Sequence, residues 1–369
     1  MGEPVRAVFE ATAAVPSQPT PGCHLFGLLV TAFDGTVLDL AGTDQIAAVF
    51  ATPSGGRYPQ ARLVTLVACG TRRVLAAAAD SCEISEQALV DRLADALGAG
   101  TLNLADRNFF SMARWVAFTA SGAHLAWRVK NGAKSLPARP LQVLPNGSAL
   151  VRLRESDAML AARRAKTGNR GLRRLPDTVA RLAEFTLTVT DTRGRARTSR
   201  FRILTTLLDH IRYPASQIAA ASAQRWQIEL AYFNLKVTLR GAGTRLRGQT
   251  PHLARQEIWG CWSSTTPWST AVRAAVDLDV DPDQISFTAV LALTRSSLAA
   301  DTRCGHCAGR PAAIGDPGDI LLAAITAQPL NRTGRQRTSP RTKAQRRTDR
   351  TRNVSYTIEI VASNLSKVE

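Results

Sequence analysis

Hydrophobic positions change their period several times along the chain, and each change marks an element. Leu25 to Phe33 (LFGLLVTAF) is apolar at nearly every position, the pattern of a strand buried on both faces. Asp34-Gly35-Thr36 follows and predicts a turn into a second strand, Val37 to Leu40. Arg62 to Ala68 and Arg73 to Ala79 read as a further hairpin around Gly70-Thr71. Ile84 to Leu97 has helical period and meets Gly98, a stop signal. Thr101 to Ala105 (TLNLA) predicts a short strand that delivers Asp106. Phe109 to Thr119 reads as a helix and His124 to Val129 as a strand. Antiparallel strands, then helix, strand, helix and strand imply a mixed α/β layer.

Asn131 to Arg212 breaks that rhythm. Its alternating segments and turns (LQVLPNGSALVRLR, LAEFTLTVTDTRGRARTSRFRILTTL) predict a β-rich insert. Within it RRAKTGNRGLRR keeps no helical period and reads as an exposed basic loop. Ala223 to Gly241 (AQRWQIELAYFNLKVTLRG) then predicts a long helix ended by Gly241. At about 100° per residue, Arg225, Glu229 and Lys236 share one narrow stripe between two apolar flanks. Such a stripe suits a helix packed on both sides that offers a polar edge to a groove. An i,i+4 ion pair beside a solvated lysine explains the same spacing. Beyond it, a helix is expected from about Leu253, interrupted near Pro267, and another from Asp281-Pro282 to about Ala299. Trp226, Trp259 and Trp262 read as core.

Charge changes the picture. The 369 residues carry a formal charge of +18, which favours a polyanion, nucleic acid before membrane. Six cysteines, without a signal peptide or an apolar run near membrane length, predict a reduced cytoplasmic protein with no membrane partner. The stretch from Arg152 to Arg181 holds nine basic residues against Glu155, Asp157 and Asp177. Arg163, Arg164, Arg170, Arg173 and Arg174 are its candidates for DNA backbone contact.

Arg225, Glu229 and Lys236 also stand at the spacing R-x3-E-x6-K. This resembles the end of the Y-x2-R-x3-E-x6-K signature of DDE transposases of bacterial insertion sequences, the IS-four type. RWQIELAYFNLK and LRGQTPHLARQEIWG are similar to that family beyond the signature. So are the words around two aspartates, FDGTVLDLAGT at Asp34 and LADRNFF at Asp106. The signature's tyrosine falls at Ser222, a departure. The resemblance covers residues from about 24 to 300.

The resemblance implies an RNase H-like mixed sheet flanked by helices, with a β-rich insertion before the helix of the catalytic glutamate. It implies residues 1–23 as an N-terminal remnant and linker, and 24–130 and 213–300 as two parts of the catalytic core. Residues 131–212 are then the insertion and 301–369 a basic, disordered tail. Asp34, Asp106 and Glu229 are the implied catalytic acids and ligands of Mg²⁺ or Mn²⁺, two ions in all. Arg225 and Lys236 are the implied phosphate contacts. The implied reaction is metal-dependent cleavage and strand transfer of an insertion sequence. Its partners are double-stranded transposon ends and target DNA, with a homodimer assembled on the DNA.

The chemistry agrees with that donor set. Phosphodiester cleavage is an in-line displacement, and paired divalent ions activate the attacking oxygen and stabilise the leaving one. Hard Mg²⁺ prefers carboxylate and water oxygens. Only 33 residues precede Asp34, where family members usually carry a longer region, so a truncated copy is expected. A catalytically silent DNA-binding remnant and an unrelated RNase H-like nuclease are the alternatives. Cys304-Gly-His-Cys307, lacking a second cysteine pair, reads as an exposed loop, not a zinc site. Gln328 to Asn353 has nine basic residues and one acid and is expected to be disordered. SYTIEIVASNL after it could be a strand, without an evident partner.

Overall fold

The computed structural model describes residues 3–13, 20, 22–132, 136–190, 194–225, 228–229, 232, 236, 244–263, 286–301, 323, 327 and 355–361. It is a mixed α/β protein that divides into two compact units. The first comprises residues 1–24, 34–89 and 227–336, and the second residues 25–33, 90–226 and 337–369. Among the described residues no helix is long and apolar enough to cross a membrane.

In the first unit, β3 (Gln60–Ala68) and β4 (Arg73–Ser81) form the expected antiparallel hairpin, and β3 borders β2 (Leu28–Asp39). β1 is the two-residue strand His24–Leu25. The Asp34-Gly35-Thr36 turn is a correction: β2 runs unbroken through all three residues. A primed hairpin turn needs positive φ, and Gly35 is not among the residues that have it. A Cβ at Gly35 would lie 2.4 Å from the Glu86 carboxylate, the movable end of a long side chain. Helix α1 (Pro4–Thr12) packs on α7 (Pro251–Ser263), with the Phe9 and Trp259 rings 5.4 Å apart. Trp259 and Trp262 are buried, as expected of core. Trp226 lies outside the described residues. The short α2 (Asp44–Ala47) is capped by the Thr43 hydroxyl. The break near Pro267 and the cap at Asp281 lie outside the described residues, and α8 spans Phe287–Asp301.

The second unit holds a mixed sheet in the order β2-β5-β6-β10-β9-β8-β7. β5 (Thr101–Ala105) lies parallel to β2, and β6 (His124–Val129) parallel to β5. β7 (Ala138–Val143), β8 (Ala149–Leu153), β9 (Thr178–Thr190) and β10 (Ala196–Thr205) are antiparallel, giving the β-rich segment expected after residue 131. β10 pairs directly with β6, so the segment continues the sheet. The C-terminal strand β11 (Ser355–Val361) does have a partner, lying antiparallel on β9. The single helix expected over 84–97 is instead α3 (Glu86–Asp91) and a short 3₁₀ turn, Ala94–Ala96.

Helix α4 (Met112–Ala120) starts where the Ser111 hydroxyl accepts from Arg114 N, and it buries Met112, Trp115 and Phe118. Trp115 and Phe118 meet Trp127 edge to face at 5.6 and 5.7 Å. A buried polar chain threads three strands beneath them. Trp127 Nε1 donates to Asn103 Oδ1 at 2.9 Å, and Asn103 Nδ2 donates to Thr31 Oγ1 at 3.2 Å. Complete satisfaction of such groups specifies register, because an unpaired buried amide costs more than its bond returns.

The exposed basic loop is also corrected. Its first half is helix α5 (Asp157–Thr167), capped by Ser156 at one end and by left-handed Gly168 (φ 66°) at the other. Asp157 in the first turn, with Arg164 and Lys166 in the last, complements the helix dipole.

Candidate active site

The acidic and basic residues that the sequence singles out divide between the two units. In the first, Asp34 sits half-buried within β2, where the buried run Leu29 to Phe33 gives way to partly exposed positions. Its Oδ1 accepts from Gly35 N at 2.9 Å. Glu229, also half-buried, lies on a helical turn that includes Ile228 and Tyr232. Ile228 is buried, which anchors the turn. One turn after Glu229, the Tyr232 hydroxyl donates to the main-chain carbonyl of Asp34 at 2.6 Å. The same hydroxyl lies 2.8 Å from Thr65 Oγ1 on β3. Burial pushes the Tyr232 phenol well above its ordinary value, and Asp34 and Glu86 push it further, against the Thr65 bond. Lys236, four residues farther along the chain, is half-buried.

In the second unit, Asp106 is the half-buried residue immediately after β5, with Oδ1 accepting from Arg107 N at 2.7 Å. The register of β2 on β5 is parallel, with Thr31 opposite Asn103 and Ala32 opposite Leu104. Along each strand the acid comes three residues after the polar member of the buried chain: Thr31 to Asp34, and Asn103 to Asp106. Arg128 on β6 feels Asp106, Arg225 and Arg107 together. Burial holds its guanidinium below the ordinary value. Asp106 opposes that shift, while Arg225 and Arg107 add to it. Arg128 also lies 5.1 Å over the Phe201 ring.

Arg225 is placed by a different clamp. Helix α6 (Ala215–Gln224) ends just before it, and Arg225 lies in the turn that follows. The long helix expected from Ala223 therefore gives way to α6, a turn and the Glu229 segment. Trp226, Gln227 and most of residues 230–243 lie outside the described residues. Ser222 is on α6, and its hydroxyl donates to Ala219 O. The approach to α6 is fixed by Arg181, fully buried on β9, which donates to the carbonyls of Asp209 at 3.0 Å and Tyr213 at 2.7 Å. Burial lowers its guanidinium to about 10, with Asp209 opposing.

The five arginines of the insert behave in two ways. Arg163 forks onto Glu155, Nε to Oε1 at 2.8 Å and a terminal nitrogen to Oε2 at 3.0 Å. Arg164 Nε donates to Leu172 O, and Arg174 bonds Asp157 and the Glu155 carbonyl. These three fold the segment. Arg170 and Arg173 have exposed side chains.

Sequence reasoning did not single out Tyr232, Thr65, Glu86, Arg128 or the Asn103 chain. Asn103 and Thr31 interrupt otherwise apolar strand runs, which is a legible signal. Tyr232 sits among apolar flanks and gives none. Ser156 and Gly168 bracket eleven residues with cap signals that outweigh the weak period of α5.

Carboxylates are the donor type that hard divalent ions prefer, so Asp34, Asp106 and Glu229 are chemically suited to hold Mg²⁺ or Mn²⁺. Among the described residues no group of three or more His, Cys, Asp or Glu forms a metal-holding cluster. Cys304 and Cys307 lie outside the described residues, as does the basic tail before β11.

Comparison with known proteins places these residues in context. The chain is 29% identical over 264 residues to the transposase InsG for insertion sequence element IS4 of Escherichia coli strain K12. That alignment takes in 70% of this chain and 55% of the relative, so the chain spans about half the relative's length. The cryo-EM structure of the piggyBac transposase synaptic complex with hairpin DNA aligns over 83% of this chain and 58% of its own, at 10% identity and a TM-score of 0.41. The family described as the transposase DDE domain matches residues 26–263, a range that holds Asp34, Asp106 and Glu229. With well over half of its length matched, the chain belongs to the DDE transposase domain family.

Proposed function

We propose that the protein is a transposase that cleaves DNA strands and joins them to a target in a divalent-metal-dependent reaction, on an RNase H-like core. Asp34, Asp106 and Glu229 would hold Mg²⁺ or Mn²⁺, which when bound activates the attacking oxygen and stabilises the leaving one. Arg225 and Lys236 would hold backbone phosphates, and the charge of +18 would draw the polyanion in. Two such chains on paired DNA ends would act together.

The observation that carries the reading is the 2.6 Å bond from Tyr232 to the Asp34 carbonyl. It ties the strand of the first acid to the helical turn of the third, as a shared carboxylate site requires. The common register of β2 and β5, with an acid two residues after Ala32 and after Leu104, supports the inclusion of Asp106.

The test is a nicking assay and a filter-binding assay on one duplex. Wild type is expected to nick with Mg²⁺ or Mn²⁺, and its affinity to fall steeply as salt rises. Glu229→Gln should abolish nicking and leave affinity equal or higher, because it removes a negative charge beside the phosphates. Wild type that binds but never nicks would instead be a silent DNA-binding remnant. Neither activity at low salt sinks both readings.

A further inference from the structure

We infer that Tyr232 is a positioning residue for the metal-binding carboxylates, acting as a buried pin among three segments of the first unit. The inference rests on the transposase reading and adds a residue outside the R-x3-E-x6-K signature.

The direction of the hydrogen bonds follows from their chemistry. A main-chain carbonyl can only accept, so the single phenolic proton goes to Asp34 O at 2.6 Å. The Thr65 hydroxyl, 2.8 Å away, must then be the donor to the phenol oxygen. The result is a directed chain, Thr65 on β3 to Tyr232 to Asp34 on β2. Thr65 is fully buried and Tyr232 is 7% exposed, so water does not replace either bond cheaply.

The bond reaches the backbone of Asp34, not its carboxylate. The phenol therefore holds the Asp34 main chain without bonding its carboxylate, whose Oδ1 accepts from Gly35 N at 2.9 Å. Tyr232 lies three residues after Glu229, so the same ring fixes the turn that carries the third acid. The ring also packs, tilted, against buried Trp262 on α7, with centroids 6.0 Å apart. Groups that orient metal ligands without touching the metal commonly change affinity or activity by about 10- to 100-fold when removed.

The test uses the full chain and Mn²⁺ alone as the probe. Tyr232→Phe removes one oxygen and keeps the ring, and Thr65→Val removes the donor behind it. Three quantities are read: thermal unfolding, Mn²⁺ affinity by calorimetry, and nicking as a function of Mn²⁺ concentration. The expected result for Tyr232→Phe is about tenfold weaker Mn²⁺ binding, a nicking curve displaced to higher Mn²⁺, and unchanged duplex affinity. Thr65→Val should move the same curve less, because the Tyr232 proton still reaches Asp34. If Tyr232→Phe binds Mn²⁺ and nicks like wild type, the pin is refuted and the transposase reading stands. If Tyr232→Phe loses stability while its Mn²⁺ affinity and nicking curve match wild type once refolded, the role is structural only. A wild type that neither binds Mn²⁺ nor nicks overturns both.

Discussion

Glu155→Gln is the most direct probe of why the basic segment of the insert is ordered. Glu155 is 1% exposed, and its carboxylate accepts three bonds: two from Arg163 at 2.8 and 3.0 Å, and one from Leu175 N at 2.9 Å. Glutamine can keep an oxygen where Leu175 N and one Arg163 nitrogen converge. Its NH₂ then faces Arg163 Nε–H, donor against donor. One charge-assisted bond is lost, worth about 1.5–3 kcal/mol, and the remaining bonds weaken as the charge disappears. Arg163 is partly exposed and recovers some hydration, so the net cost is about 2–3 kcal/mol. At tenfold per 1.4 kcal/mol, hydrogen exchange at Leu175 N and along 157–175 should speed up by about 30- to 140-fold. Local exchange is the right readout, because two units need not unfold as one transition.

The same residue sets a pH dependence. The Arg163 bonds, helped by Leu175 N and the nearby Arg174 charge, hold the Glu155 carboxyl below its ordinary value against the opposing effect of burial. A depressed carboxyl stabilises above its unfolded pKa, about 4.3, and that contribution is lost as pH falls through the folded value. Wild-type protection over 157–175 should therefore hold from neutral pH to about 5 and fall below about 4, and the Gln variant should lack this acid-dependent loss. Equal protection in the two proteins at pH 7 would refute the reasoning.

Two further outcomes separate folding charges from binding charges and test the buried chain. Arg163→Ala should destabilise the insert and leave the salt slope of duplex binding unchanged, whereas Arg170→Ala with Arg173→Ala should leave stability alone and reduce the slope by about 2; filter binding across a salt series decides. Trp127→Phe leaves Asn103 Oδ1 unpaired and the site underfilled, at about 2–3 kcal/mol, read as a lower urea midpoint with an unchanged m-value; an unmoved midpoint would mean the Asn103 chain specifies nothing.

The strands β3, β4, β5 and β6 were legible because each is a short apolar run between turn residues, and burial on the sheet needs little beyond that. The acids Asp34, Asp106 and Glu229 were legible as words in a family signature, not as a geometry. Local pattern failed where a competing interaction outranked it. Asp34-Gly35 has the composition of a turn, yet β2 continues through it beside β3, with Gly35 lacking the positive φ that a primed turn needs. RRAKTGNRGLRR has no amphipathic stripe, yet half of it is helical, because caps at Ser156 and Gly168 and the Glu155 carboxylate supply what an apolar face would. SYTIEIV reads as a strand, but its partner β9 lies more than 160 residues earlier in the chain, a pairing that no local period encodes. Tyr232 is the sharpest case. In sequence it is one more apolar position on a helix, and only the approach of β2 and β3 gives its hydroxyl a carbonyl and a threonine. The sequence determined which segments could be buried and which side chains could do acid chemistry. Tertiary structure decided which polar groups were desolvated together, and it is desolvation that makes a hydrogen bond positional.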